Sequence, residues 1–411
     1  MDSQPPLSAA SANKAPLGFR EFVSLIAAMM GLTALGIDSM LPALPAIGDS
    51  LGVAEPNHRQ YVITSFLLGF AIAQLAYGPL SDRFGRRPVL AIALASYVVT
   101  SALAAISGSF VLLLIARAAM GAAAAGARVV SVALVRDCYS GRAMARVMSL
   151  AFIVFMAAPI FAPSLGQLVL FLGSWRLIFW AVALVSAAVT LWFWLRLPET
   201  LPPEARLSLT PRRVLGDYLL VLRDRGAVGY TLAIALLSGA MFGFIGSIQQ
   251  VMEDVFHHPE LLAILFPCIA GTMALGSFLN SRLVMTVGMR RISHTALVAM
   301  VVIAGIHLAV TWAGYETMVS FVGLQALMMG CLGLATANFS AMAMERMGAI
   351  AGTASSLQGF VTTMGSAVIG ALVGQAFDGT TVPLYIGFFS LGLLSIAIIA
   401  ITERGRMFQA S

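Results

Sequence analysis

An aspartate stands inside an apolar stretch near the start of this 411-residue chain, in Leu32-Thr-Ala-Leu-Gly-Ile-Asp38-Ser-Met-Leu-Pro42. An ionisable group costs several kcal/mol at the centre of a bilayer, so one kept there marks a candidate functional site. Asp38 lies about ten residues, or roughly 15 Å, from the outer end of its helix. A carboxylate at that depth binds a proton or a cationic compound, and competition for one charge is a sufficient physical basis for exchange. The alternative is a structural acid paired with an arginine. Arg117 opens Arg117-Ala-Ala-Met120-Gly121-Ala-Ala-Ala-Ala-Gly126. It lies about eight residues from the outer end of its own helix, at a depth similar to that of Asp38. A third group is Gly78-Pro-Leu-Ser-Asp82-Arg83-Phe-Gly85-Arg86-Arg87. Gly78 removes a side chain where a neighbouring helix could approach. Asp82 and the arginines can pair with one another and with helix ends, latching one conformation and releasing it in another. Arg83 and Arg87 serve equally well as topology determinants.

The elements that carry these residues follow from composition. Hydrophobic residues make up 59% of the chain and charged residues 10%, against about 45–50% and about 25% in a soluble domain. Most of the chain must therefore face lipid or other helices. Twelve membrane-length spans are expected, at about twenty residues each: 20–47, 60–80, 88–107, 110–134, 145–169, 175–195, 228–251, 260–282, 292–312, 318–342, 350–376 and 382–402. They are helices, because a lipid-exposed span must satisfy its own backbone. Arginines crowd alternate loops, at Arg83, Arg86 and Arg87, at Arg136, Arg142 and Arg146, through 196–226, at Arg282, Arg290 and Arg291, at Arg346, and at Arg404 and Arg406. The positive-inside rule puts those loops and both termini in the cytoplasm. The net charge of +6 thus reports topology rather than a nucleic-acid partner. The divisions expected are a cytoplasmic tail 1–19, a six-helix half 20–195, a Pro-containing cytoplasmic linker 196–226, a second six-helix half 227–403 and a tail 404–411. Gly276-Ser-Phe-Leu-Asn-Ser-Arg282 with Gly288-Met-Arg-Arg291 faintly repeats the loop at 78–87. The tail lacks the features of a cleaved signal peptide. Cys138, Cys268 and Cys331 imply neither a disulfide nor a metal site.

The loop Gly78-x-x-x-Asp82-Arg83-x-Gly85-Arg86-Arg87 resembles the signature of the major facilitator superfamily, between the second and third spans where that family places it. Asp38-Ser-Met-Leu-Pro42-Ala-Leu-Pro45 resembles the first-helix signature of its drug:proton antiporters, within them the bicyclomycin, chloramphenicol and florfenicol exporters of the Bcr/CflA group. The Arg117 segment resembles a second family motif, whose arginine is linked to proton coupling. Ala158-Pro159-x-x-Ala162-Pro163-x-x-Gly166-Gln167 partly matches the antiporter motif, with Ala162 and Gln167 replacing two glycines; an ordinary kinked helix is the alternative. Ala351-Gly-Thr-Ala-Ser-Ser356 is typical of the same group. The resemblance implies an all-α membrane fold of two pseudo-symmetric six-helix halves, in which the first and fourth helices line a central cavity. There the charges of Asp38 and Arg117 could meet, for coupling or as a static pair. It also implies gating roles for Asp82 and Arg86.

Other polar residues are open to two readings. Tyr61, Gln74, Gln249, Gln325, Asn338 and Gln358 could bond a substrate or bridge helices. Arg128 departs from the family pattern. It either snorkels toward the cytoplasm or points into the cavity and disfavours cations. The expected function is a proton-coupled efflux antiporter of a bacterial inner membrane. It would be a monomer, without cofactor, that exports small amphipathic antimicrobials such as phenicols or bicyclomycin. An exporter of a sugar, amino acid or organic anion is the alternative. An enzyme or sensor would need clustered ligands, a nucleophile with its base or an appended domain, none of which the sequence offers. No Gly-x-x-x-x-Gly-Lys-Ser/Thr loop occurs for an ATP-driven pump, and Lys14 is the sole lysine.

Overall fold

The computed structural model describes residues 16–139, 141–206, 211–347 and 350–409. Among them the chain is helical, without a strand. The long helices are α1 (Phe19–Asp38), α3 (Tyr61–Phe84), α4 (Arg86–Ala105), α5 (Phe110–Cys138), α6 (Gly141–Leu172) and α7 (Arg176–Arg196). After the connection come α9 (Arg225–Gln250), α10 (Leu262–Val287), α11 (Met289–Trp312), α12 (Met318–Met344), α13 (Ala351–Gln375) and α14 (Val382–Thr402). Short helices α2 (Leu44–Ser50) and α8 (Pro211–Arg223) complete the set. Among the described residues, 11 helical stretches are long and apolar enough to cross a membrane. The remaining long helix, α6, has 32 residues, and its described apolar part runs Ile160–Leu172.

Two expectations about elements need correction. The first span is not one continuous helix: α1 stops at Asp38, a 3-10 turn covers Leu41–Ala43, and α2 restarts at Leu44. Pro42 and Pro45 lack the N–H that an unbroken helix would use, and each ring clashes with the preceding turn. The Ser39 hydroxyl donates to the Leu35 carbonyl at 2.6 Å, alongside the Ser39 N–H at 3.4 Å, closing the last turn of α1. The connection 196–226 is not a bare linker either. It contains α8, which begins at Pro211, a residue suited to the first helical turn, and packs against α9 and α13.

Helices of lipid-facing proteins associate by close packing rather than by excluding water. A Cβ placed on Gly121 of α5 would lie 1.9 Å from the Phe66 carbonyl oxygen of α3, and one on Gly276 of α10 would lie 2.2 Å from that of Gly330 on α12. The same device therefore joins the second helix to the fourth in each half. The halves meet where α3 packs on α13 and α6 on α10. Apolar side chains such as Ile92, Phe171, Leu184 and Val319 face outward, as lipid requires.

Contacts between the halves differ at the two ends. On the arginine-poor face, the Gln60 amide donates to Gln250 Oε1 at 2.6 Å and to the Gly374 carbonyl at 3.1 Å. Gln250 donates to Asn57 Oδ1 at 2.8 Å, and Gln375 donates to the Asn57 carbonyl at 2.7 Å. This amide network closes that end. Toward the arginine-rich face, nothing lies within 4 Å of a Cβ built on Gly78. The close neighbour expected at Gly78 is absent in this state.

Candidate functional site

Asp38 is the last residue of α1 and is 4% exposed. No hydrogen bond or ion pair reaches its carboxylate among the described residues. The break after it is held by α6. A Cβ on Gly166 would lie 2.1 Å from the Ser39 carbonyl oxygen and 3.3 Å from the Pro42 ring. The Gly166 position of the α6 motif thus lets the broken strand of chain below Asp38 seat against that helix. Pro163 is buried in the same helix, and the side chain of Pro159 lies outside the described residues. The hydroxyl of Ser164, beside Pro163, donates to the Ala263 carbonyl of α10 at 2.7 Å, tying this region to the other half.

Arg117 is fully buried. Its Nε donates to the Val62 carbonyl at 3.0 Å and its Nη1 to the Gly36 carbonyl at 2.8 Å. The guanidinium faces the Phe66 ring at 4.7 Å and the Phe179 ring at 5.8 Å, while Nη2 has no partner. Arg117 and Asp38 do not form an ion pair. The arginine instead holds the backbone two residues before Asp38, so its link to the carboxylate runs through the end of α1.

The arginine-rich loop is a second built cluster. Arg86 is 3% exposed; it donates to Asp82 at 2.5 Å and to Asp137 at 2.8 Å. Gly85 adopts φ 100°, a left-handed conformation that turns α3 into α4. A Cβ there would also lie 2.4 Å from Glu199 Oε2. The Glu199 carboxylate accepts the backbone N–H groups of Arg86 at 3.0 Å and Arg87 at 3.2 Å. It thereby satisfies the open end of α4, where a negative charge also suits the helix dipole. Arg87 donates to the Trp194 carbonyl at 2.9 Å and lies over that ring. Arg83 is exposed and rests on Phe84, outside the Arg86 cluster.

Asp137 and Glu199 escaped the sequence reading because their partners are 51 and 113 residues away. The second half carries a related arrangement that the weak repeat at 276–291 only hinted at. Gly288, at φ 89°, precedes α11, and Arg290 pairs with Glu345 at 3.3 Å and Glu403 at 3.2 Å. Asn280 stands where Asp82 stands in the first half, and the carboxylates come from the ends of α12 and α14 instead. Burial pushes the Glu403 carboxyl up, but hydrogen bonds from Tyr230 and Arg290 outweigh it and leave the group below the usual range.

The remaining polar candidates fall in different places. Asn338 exchanges amide bonds with Asn280 at 2.7 and 3.2 Å, bridging α10 and α12. Tyr61 stacks on His58 at the arginine-poor rim. Gln249 donates to Glu253 at 2.5 Å. Gln325 is fully buried with both amide atoms unpartnered. Gln358 accepts from Ser340 at 3.4 Å, and Gln74 is 7% exposed with Oε1 unpartnered. Arg128 is half-buried on α5. Its guanidinium lies 6.0 Å from the Phe70 ring, and Phe70 sits beside Gly121, about two turns back along α5. Helix side chains lean toward the N-terminus, which for α5 is the arginine-poor end, so Arg128 reaches toward mid-helix. Among the described residues no group of three or more His, Cys, Asp or Glu is placed to hold a metal.

Helices, glycine contacts and arginine cluster define a membrane transport protein of paired halves. A family model described as Major Facilitator Superfamily matches residues 26–371, and the chain belongs to that superfamily. It is 31% identical over 386 residues to the "Bicyclomycin resistance protein homolog" of Haemophilus influenzae, covering 90% of this chain and 92% of that one. It is 29% identical to the "Uncharacterized MFS-type transporter YdgK" of Bacillus subtilis, over 92% of this chain and 95% of that one. To the "Multidrug resistance protein D" of Escherichia coli it is 30% identical over 54% of this chain and 59% of that one. Among solved structures, the D-xylose-proton symporter superposes with TM-score 0.73 at 13% identity, covering 95% of this chain and 99% of that chain. The human organic anion transporter MFSD10 superposes with TM-score 0.68 at 22% identity, covering 96% and 100%. These two likenesses concern the fold.

Proposed function

We propose that this protein is a proton-coupled efflux antiporter that exports small amphipathic antimicrobials across the bacterial inner membrane, with its arginine-rich face and both termini in the cytoplasm. The observation that carries this reading is Asp38: a buried carboxylate with no ion-pair partner, at a break in α1 that α6 holds in place. A carboxylate already neutralised by an arginine has little reason to change protonation, whereas an unpaired one responds to proton and ligand alike. Proton entry from outside would discharge Asp38 and release the substrate, and deprotonation to the cytoplasm would reset it. The names of the bacterial relatives, bicyclomycin and multidrug resistance proteins, support export of antimicrobials. The amide network on one face and the open space at Gly78 on the other support alternating access between two states of the paired halves.

The test is substrate-dependent proton movement in proteoliposomes, across phenicols, bicyclomycin and lipophilic cations, with metabolite counterflow as a parallel arm. Proton release coupled to uptake of an antimicrobial is the expected result. Counterflow of a sugar, amino acid or organic anion, with no antimicrobial moving protons, would replace the drug reading with a metabolite one.

A further inference from the structure

We propose that the lipid-facing seam between α4 and α5 binds an anionic glycerophospholipid, which lays an acyl chain in an apolar groove and its phosphate on Arg176. The inference goes beyond the export function proposed above and does not depend on which compound is moved.

The groove is built by side-chain size. Ala116 and Ala119 of α5 share a face one turn apart and form its base. Leu103 and Ile106 of α4 and Leu112 and Ile115 of α5 stand as its walls, each 46–63% exposed. The space between them is about 200 Å³. Its lining is carbon, because Thr100 at the deep end turns its hydroxyl back onto the Ser96 carbonyl at 2.7 Å. Apolar spaces of about 150 Å³ stay dry and take hydrocarbon. Leu112 to Ala119 spans roughly 10 Å along α5. The end at Ile106 and Leu112 lies at the arginine-poor rim, where α4 stops and α5 starts. The groove lies off the contact between the halves: the same stretch of α5 turns Arg117 toward α1 and Gly121 toward α3.

A cation stands at that rim. Arg176 opens α7, and its Nη2 donates to the carbonyl of Ser107, the residue after Ile106, at 3.1 Å. Its guanidinium also lies 4.3 Å from the Trp175 ring. These contacts hold the group in place but leave its charge. Among the described residues no carboxylate pairs with it, and Nη1 donates to none of them. Arg59, the other arginine of the arginine-poor loops, does have an acid partner, Asp49 at 3.0 Å. An apolar groove alone would accept any hydrocarbon chain. A half-buried arginine without a counter-charge at its mouth selects a chain that ends in an anion. The guanidinium fork suits phosphate oxygens. A zwitterionic headgroup carries an ammonium that offsets its own phosphate, so an anionic one is favoured. The seated chain would press on Ala116, beside Arg117, and so brace the stretch of α5 that holds the end of α1.

The experiment is native mass spectrometry of the purified full-length protein, titrated with phosphatidylglycerol, phosphatidylethanolamine and phosphatidylcholine of one chain composition, and with oleic acid. Phosphatidylglycerol is expected to bind about ten-fold tighter than phosphatidylcholine, the worth of one charged hydrogen bond. Arg176→Gln should abolish that preference, Arg176→Lys should keep part of it, and Arg59→Gln should leave it intact. Ala119→Phe fills the groove and should weaken all the phospholipids together. A monodisperse Arg176→Gln protein that keeps the preference overturns the proposal, as does undiminished phospholipid binding by a monodisperse Ala119→Phe protein. Oleic acid that competes as well as phosphatidylglycerol overturns it in favour of a site for any anionic amphiphile. Lipid binding is read without transport, so failure here leaves the export reading standing, and failure of proton movement in proteoliposomes leaves the lipid site standing.

Discussion

Arg86 shares its charge between two carboxylates of unequal exposure, Asp82 at 33% and Asp137 at 14%. Removing one partner of a buried pair costs about 3–5 kcal/mol, whereas exposed pairs are worth about 0–1 kcal/mol. Asp137→Asn is therefore expected to lower the thermal midpoint of the purified protein more than Asp82→Asn does. Equal midpoints would show that Arg86 is not held chiefly by Asp137. Asp82, the more exposed of the two, is the better candidate for a contact that changes between states. Asp82→Asn should alter the accessibility of cysteines engineered on the two faces more than it alters substrate affinity; a large affinity loss with unchanged accessibility contradicts this. Asp38→Asn keeps shape and hydrogen bonding but cannot titrate. It should leave a folded protein that has lost proton-driven export, and undiminished uphill transport by that variant would remove Asp38 from coupling. The family motifs made Asp38, Arg117 and Arg86 legible from sequence. The partners of Arg117 were not, because two of them are backbone carbonyls, of Val62 and Gly36, and carbonyls carry no residue signature.

Helices show a similar division between what pattern reveals and what packing decides. The long apolar spans were legible because lipid imposes length and composition on each one separately. The end of α1 at Asp38 was harder to see, since Leu-Pro-Ala-Leu-Pro is as apolar as the helix before it. Helix α8 was hidden by prolines and mixed charges that also suit a linker. The α6 glycine gives a direct test at this scale. A Cβ on Gly166 would meet the Ser39 backbone at 2.1 Å, while one on Gly78 meets nothing within 4 Å. Overpacking against backbone costs about 1–3 kcal/mol, and Gly→Ala in an unobstructed helix gains about 1 kcal/mol. Gly166→Ala should thus lower stability and export by displacing the break beside Asp38, and Gly78→Ala should preserve or raise stability. If Gly166→Ala matches the wild type in both thermal midpoint and uphill transport, α6 does not position that break.

The two halves of the molecule are fastened to each other at the arginine-poor end. On the arginine-poor face, Asn57 and Gln60 of the first half engage Gln250, Gly374 and Gln375 of the second through neutral hydrogen bonds. Near the opposite face Gly78 has empty space beside it, and partway along the seam Gln74 Oε1 is unpartnered. The arrangement corresponds to a state closed on the arginine-poor side, which the loop arginines would make the outer side. Each neutral bond is worth about 0.5–1.5 kcal/mol net, and a buried acceptor left unpaired costs about 1–3 kcal/mol. Gln60→Leu with Asn57→Ala strands the Gln250 amide and the Gln375 and Phe377 carbonyls only while that face is closed; once it opens, water satisfies them. The double variant should therefore shift the equilibrium by about 2 kcal/mol, or roughly thirty-fold, toward the state open on that face. Spin-label pairs across the arginine-poor rim, one on each half, would read this as a longer-distance population absent from the wild type. An unchanged distance distribution in a folded double variant would mean that the amide network decorates the seam without holding it shut.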